Sequence, residues 1–367
     1  MNLEFGMYES KSIPSAIEEL VGHYNDGHPD TVLFIARHLA SDLSLVSAEI
    51  VAVSRNEITF AGESPSGSQE IVWPSEREII EREHFSESFF FMLSNARRAA
   101  DLDEPKTSVE KELASTAALR TYQATVSSVK DITSTIKEIT VTGLEKFTNP
   151  GWDAFMFVFV PPDGEKLPQG FDMGKWRALS EQDRPGAAYY TIRRSRRTPD
   201  GTSELVLWFV VHETYGAVSD WAGRAKVGEE ISLWGPRTAF KPPARTRQYI
   251  LLAEETSYAA VAAILDELPA ESGVTALLET SKPGEEVPLR KEPHWKVVWV
   301  YRDGARPGCS TVVLDGLKAL KPDSVSDLYL FGAGESGQIA KVRKYLRQSW
   351  SLSKPQFHLT GYWRILG

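Results

Sequence analysis

The sequence predicts three folding units in series: a small α+β unit, an antiparallel β-barrel, and a doubly wound α/β domain. Three observations predict them. An apolar stripe at helical spacing is followed by a hairpin pattern near the start of the chain. Six β-rich runs, separated by Gly, Pro and Asp turns, fill Leu119 to Pro243. From Gln248 onward, strand and helix alternate.

The first unit is expected over 11–100. Ser15 to Leu20 and Pro29 to Ser41 read as helices, the second with Val32, Leu33, Ile35, Ala36 and Leu39 along one side. Val46 to Val53 and Glu57 to Phe60 alternate as a hairpin, and Ile71 to Trp73 is a short strand. Glu76 to Ala100 is a helical stretch carrying Phe85, Phe89, Phe90 and Phe91. That is more apolar surface than so small a unit needs, and it suggests a homodimer interface.

Residues 101–118 are charged, contain Pro105, and read as a linker. The barrel is expected over 119–246, with strands at Tyr122–Val129, Ile132–Val141, Ala154–Val160, Tyr189–Arg193, Glu204–Val211 and Glu230–Trp234. The α/β domain is expected over 247–367. Its strands are Tyr249–Ala253, Val274–Glu279, Lys296–Tyr301 and Leu328–Phe331, and its helices Ser257–Leu268, Leu314–Leu320 and Gly337–Trp350.

Composition narrows the class. The chain has 367 residues, 42% hydrophobic and 25% charged, as ordinary globular proteins do. The net charge of −9 argues against a nucleic-acid binder. One cysteine, Cys309, permits no internal disulfide and points to a reducing, cytoplasmic setting. No segment has the length and apolarity of a membrane span, and the start shows no secretory signal pattern.

The strand Leu328 to Phe331 runs into Gly332-Ala333-Gly334-Glu335 and then a helix. That arrangement offers backbone N–H groups to a dinucleotide. Glu335 also suits a helix N-terminus electrostatically, so both readings stand. The extreme C-terminus carries Tyr362-Trp363. Chain ends normally fray, and two large rings there imply docking against a flat surface.

Several segments together resemble one family. They are Tyr190-Thr191-Ile192-Arg193; His212 through Gly216, Ser219 and Trp221; Gly228 to Arg237; Ala253-Glu254-Glu255-Thr256; the Gly-Ala-Gly-Glu stretch; and the terminal Gly-Tyr-Trp-Arg. They resemble the siderophore-interacting proteins, a branch of the ferredoxin-reductase superfamily, over about Arg120 to Gly367. The resemblance implies a ferredoxin-reductase-like pair of domains, in which the barrel holds FAD and the sheet presents NADPH or NADH. It implies cofactor contacts from Tyr190, Thr191, Arg193, His212, Gly216, Ser219, Trp221, Glu255, Thr256, Gly332, Gly334, Glu335, Tyr362 and Trp363. The chain departs from the family at Ala188 and Asp220, both arginine positions that would pair with a pyrophosphate.

Arg193, Arg194, Arg196 and Arg197 form a dense basic run, and Arg237 and Lys241 lie further on. These residues read equally as a solvated hairpin and as a docking surface for an anionic ferric chelate or a 2′-phosphate. His23 and His28 resemble part of a small domain of haem-utilisation proteins, so haem is a further candidate ligand. Asn25, His28 and Asp30 are also ordinary capping residues for the helix from Pro29.

What the resemblance implies is a flavoprotein ferric-siderophore reductase of iron acquisition. The alternatives are a haem-utilisation protein and a non-enzymatic binding protein with a degenerate flavin site. Few acid–base residues are expected, because electron transfer through a cofactor needs positioning more than proton transfer.

Overall fold

The computed structural model describes residues 15–365 apart from 102, 118, 164, 212–215 and 323. The chain divides between Ala118 and Leu119 into two compact units.

The first unit is α+β. Helices α1 (Ser15–Gly27) and α2 (Pro29–Ala40) precede strands β1 (Ser47–Val53), β2 (Glu57–Ser64) and β3 (Gly67–Pro74). The strands form an antiparallel meander, β1-β2-β3. Pro29 starts α2 where its missing N–H costs nothing, and Ser41 ends it in a left-handed conformation. Helix α3 (Arg82–Ala99) buries Phe85 and Phe89, with Tyr24 stacked on Phe89 at 3.8 Å. Phe90 and Phe91 stay at the surface.

Residues 101–118, read as a linker, contain helix α4 (Ser108–Ala117). Ser108 gives its backbone N–H to Asp30 Oδ2 at 2.7 Å, Val109 is buried in the core of this unit, and Arg97 pairs with Glu110 at 2.7 Å. The helix was missed because its apolar anchor is the single Val109, too little for a periodicity signal.

The second unit opens with a closed barrel. Its strands are β4 (Arg120–Asp131), β5 (Ile136–Leu144), β6 (Phe155–Phe159), β7 (Ala187–Arg197), β8 (Ser203–Val210) and β9 (Glu230–Arg237). They close in the order β4-β5-β8-β7-β6-β9. A short helix, α5 (Met173–Ala178), lies between β6 and β7, and α6 (Ala217–Arg224) follows β8. Val218, Trp221 and Ala222 of α6 pack into the barrel core.

A parallel five-stranded sheet follows. It comprises β10 (Gln248–Ala253), β11 (Gly273–Thr280), β12 (Lys296–Tyr301), β13 (Leu328–Glu335) and β14 (Phe357–Trp363), in the order β12-β11-β10-β13-β14. Helices α7 (Tyr258–Glu267), α8 (Val312–Ala319) and α9 (Ser336–Tyr345) complete it. Every residue of α7 from Tyr258 to Leu265 is buried. A helix apolar on all sides needs cover on all sides. It receives that cover from the sheet and from Ile136, Trp208 and Val210 of the barrel.

The terminal aromatic pair belongs to β14, a strand that the sequence reading did not contain. Its neighbours Thr360 and Gly361 interrupt any alternating pattern, and its partner β13 supplies the pairing.

Candidate flavin and nucleotide site

Strand β7 presents two faces, because successive side chains alternate. Ala188, Tyr190 and Ile192 turn towards the barrel core, where the Tyr190 ring lies 4.3 Å from Phe209. Burial pushes the Tyr190 hydroxyl well above its ordinary pKa, so it stays neutral. Tyr189, Thr191 and Arg193 face outward. The Tyr362 hydroxyl bonds to Thr191; burial, with Asp153 nearby, raises its pKa. The Tyr362 residue as a whole keeps 38% of its surface open. The last strand of the sheet therefore reaches the outer face of the barrel at Thr191.

Helix α6 begins beside this strand. A Cβ on Gly186, just before β7, would lie 2.6 Å from the Ala217 side chain. Gly216 caps the helix at φ +92° with no side-chain hydrogen bond, and Gly216 and Ala217 are exposed. The first N–H groups of a helix need partners, and this terminus offers them outward. Ala188 and Asp220 bring no positive charge to it.

The carboxyl ends of the parallel strands form the second part of the site, with the strand order reversing between β10 and β13. Trp363 Nε1 donates to Glu254 Oε1 at 3.2 Å, and Ser336 Oγ donates to the Trp363 carbonyl at 2.9 Å. Burial and the neighbouring Glu255 push Glu254 up to about 7. Glu255 pairs with Arg302 at 2.6 Å, and Arg302 reaches Glu279 at 3.4 Å. Burial raises Glu279 as well, against the pull of Arg302.

Several site expectations need correction. Trp221 is wholly buried and donates to Glu229 at 2.9 Å, so it is a core residue of the barrel. Ser219 is buried and donates to the Val210 carbonyl at 3.0 Å. Arg193 has a fully buried side chain, pairs with Asp266 of α7 at 2.5 Å and lies over the Trp208 ring. That leaves it no reach to a phosphate. Gly332-Ala333-Gly334-Glu335 is the end of β13 and not a turn. A Cβ on Gly332 would strike Leu359 at 2.8 Å, and one on Gly334 would strike Glu254 at 2.9 Å. Both glycines permit close packing. Glu335 is buried and caps α9, accepting from Gln338 N at 2.8 Å. Thr256 donates to Glu254 and Glu255 is held by Arg302, so both serve the turn after β10. His212 lies outside the described residues.

The basic run divides. Arg196 makes a two-point pair with Glu204 across the hairpin, at 2.6 and 3.1 Å. Arg194 is exposed, 3.8 Å from Asp266, and Arg197 is exposed. Arg237 lies 6.0 Å over the Phe155 ring, and Lys241 is exposed. In the first unit, the His23 and His28 rings pack edge to face at 5.0 Å. His28 Nδ1 bonds Ser108 at 2.8 Å and its Nε2 lies 3.6 Å from Glu112. Two axial ligands of one iron would hold their ring centres about 6 Å apart, given metal–nitrogen bonds near 2 Å. This pair is too close to clamp a haem, and His28 already has partners on both nitrogens.

Residues 125–240 match the family profile described as the siderophore-interacting FAD-binding domain, and residues 246–365 match the siderophore-interacting protein profile. The chain belongs to the siderophore-interacting protein family.

Individual proteins and solved structures are similar to the chain as well. An uncharacterised protein of Mycobacterium tuberculosis is 27% identical over 220 residues, covering 56% of this chain and 76% of its own. The ferric vibriobactin reductase of Vibrio cholerae is 23% identical over 189 residues, covering 51% and 68%. The crystal structure of a siderophore utilization protein from T. fusca superposes with a TM-score of 0.57 at 26% identity, over 67% of this chain and 93% of that one. The siderophore-interacting protein of Aeromonas hydrophila gives 0.55 at 21% identity, over 67% and 92%, and shows the shared fold.

Sequence reasoning missed Arg302, Glu279, Asp266 and the role of Glu254. Glu254, Glu279 and Arg302 lie at or just past the carboxyl ends of parallel strands, where ligand-facing residues gather. That position was a usable signal. Asp266 had none, since its partner is 73 residues away in sequence.

Proposed function

We propose that the chain is an NAD(P)H-dependent flavoprotein reductase that frees iron from ferric siderophores by reducing Fe³⁺ to Fe²⁺. The observation that carries this reading is the meeting of Tyr362 with Thr191. It brings the carboxyl end of the nucleotide-type sheet to the outer face of the flavin-type barrel. A hydride donor and an electron carrier need that juxtaposition within a few ångströms.

The residues present fit FAD: the exposed α6 N-terminus at Gly216 would take the pyrophosphate, and Thr191 and Tyr362 would border the ring system. FAD supplies the change from two-electron to one-electron chemistry. The overall balance is one NAD(P)H and two Fe³⁺ giving NAD(P)⁺, two Fe²⁺ and one proton. Reduction releases iron because hard oxygen donors hold Fe³⁺ more strongly than Fe²⁺. The protein's own residues position the partners. Thr191 and Tyr362 fix the distance between the domains' reacting edges, and the pair of buried Arg193 with half-buried Asp266 fixes barrel against sheet.

The reading includes a cytoplasmic setting, consistent with the single thiol Cys309. Self-association through the exposed Phe90 and Phe91 face is the remaining role proposed for the first unit. No observation favours haem.

The test is a steady-state assay with NADH or NADPH, added FAD, a ferric siderophore and a chromogenic ferrous trap. Flavin-dependent ferrous production supports the proposal. No ferrous product with any of several ferric chelates would sink it.

A further inference from the structure

Helix α3 of the first unit divides cleanly by side. Phe85, Ser88, Phe89, Met92, Leu93 and Ala96 are buried, at the spacing of one helix face. On the opposite side Glu83, Glu87, Phe90, Phe91, Ser94 and Arg98 are exposed. At about 100° per residue they all fall within a stripe about 100° wide. Such a stripe is ordinarily polar. Here its centre holds two phenylalanines, 37% and 45% exposed. Trp73 of β3 lies 6.3 Å from Phe91 and extends the ring surface. Single apolar residues scattered over a surface need no explanation, but two adjacent rings in the middle of a charged stripe do.

The stripe is also complementary to its own reverse. Glu83 and Glu87 stand at its start and Arg98 at its end. Glu83 and Arg98, Glu87 and Ser94, and Phe90 and Phe91 are each equidistant from the peptide between the two phenylalanines. Among the described residues Glu83 and Arg98 make no ion pair. Arg98 reaches the neutral Ser94 hydroxyl at 3.5 Å, which leaves its charge available. Glu87 lies 3.8 Å from Arg77 with both side chains exposed, a contact worth little in water. Arg97 turns away to Glu110 and takes no part.

We propose that α3 pairs with α3 of a second copy of this chain, antiparallel, about a two-fold axis passing between Phe90 and Phe91. The proposal rests on the self-association reading of the first unit, to which it gives a geometry, and it is independent of the reductase reading. In a two-fold contact residue i meets j and j meets i. Phe90 then packs on the partner's Phe91, Glu83 meets the partner's Arg98, and both contacts occur twice. The charges fix the direction, because a parallel pair would set glutamate against glutamate and arginine against arginine. From Glu83 to Arg98 the contact runs about 22 Å. That is a small interface, so the dimer should dissociate in the micromolar range.

The test is sedimentation of the full chain at low salt over about 1–200 µM, a range that brackets micromolar association. Glu83→Arg, Arg98→Glu, the double reversal, and Phe90→Ser with Phe91→Ser run alongside. All of these positions are exposed, and circular dichroism checks that each variant stays folded. The expected result is a monomer–dimer equilibrium that each single reversal weakens about fivefold and the double reversal returns to within about twofold of the parent. The phenylalanine variant should be monomeric. A parent chain that stays monomeric at every concentration would overturn both this pairing and the self-association reading. A dimer that keeps its affinity through both single reversals or through the phenylalanine variant, or a double reversal weaker than either single one, would overturn the antiparallel α3 pairing alone.

Discussion

Trp363 donates its indole N–H to Glu254 across 3.2 Å, joining the end of the last strand to the end of the first strand of the parallel sheet. The acceptor is a carboxyl group pushed up to about 7 by burial and by the adjacent Glu255. An acid whose folded pKa exceeds its ordinary 4.5 binds its proton more tightly in the folded state. Its stabilising contribution is therefore complete below about pH 4.5 and is lost as pH rises through about 7. Glu254→Gln keeps an acceptor for Trp363 and removes the titration. Thermal melts of the variant between about pH 5 and pH 8 should vary less than those of the parent, with the variant the more stable at pH 8. Parallel pH profiles for the two proteins would contradict this account of Glu254.

The Arg193–Asp266 pair joins barrel to helix α7 at 2.5 Å, with the arginine side chain buried and the aspartate partly open. Removing only the acid strands a buried guanidinium. Asp266→Ala should cost about 2–4 kcal/mol in chemical denaturation, the open side of Asp266 holding the value below that of a fully buried pair. The double variant Arg193→Met with Asp266→Leu should recover most of it. A loss under about 0.5 kcal/mol for Asp266→Ala would show the pair to be dispensable.

Most of the fold was legible because its signals are local. The six barrel strands and the alternating sheet declared themselves through turn residues and apolar runs, each decided within about ten residues. Strand β14 and helix α4 were not legible, since both depend on partners elsewhere: β13 for one, Asp30 and Arg97 for the other. The site divided in the same way. Tyr190, Thr191, Gly216 and Tyr362 were named by motif, and the structure brings Thr191 and Tyr362 together. Arg193, Ser219 and Trp221 were misread, because a motif gives spacing and not which way a side chain turns. Arg193 faces α7, Trp221 faces the barrel interior, and the Ser219 hydroxyl turns to the Val210 carbonyl.

The nucleotide end of the sheet is acidic. Glu254, Glu255, Glu279 and Glu335 lie at the strand ends, and Arg302, the buried cation among them, is already paired with Glu255 and Glu279. Lys282 and Arg306 stand on exposed loops. A 2′-phosphate entering this field meets repulsion that a 2′-hydroxyl does not. NADH should exceed NADPH in kcat/KM by about tenfold or more at low salt, with the gap narrowing as ionic strength rises. A preference for NADPH would refute this reading of the charges.

The pyrophosphate position proposed at the α6 N-terminus has no arginine at position 188 or 220. Ala188→Arg and Asp220→Arg should each tighten FAD about fivefold to tenfold, measured by flavin fluorescence quenching on titration. The gain should shrink with added salt. No change in either variant would place the pyrophosphate away from Gly216.

The central claim is that hydride enters from the sheet and single electrons leave at the barrel. The most direct test is an anaerobic absorption titration of the FAD-loaded protein, first with NADH and then with a ferric catecholate chelate. The account predicts that NADH bleaches the flavin band and that about two equivalents of ferric chelate restore it, with ferrous iron appearing in step. A flavin that NADH leaves oxidised, or a reduced flavin that the ferric chelate fails to reoxidise, would contradict it.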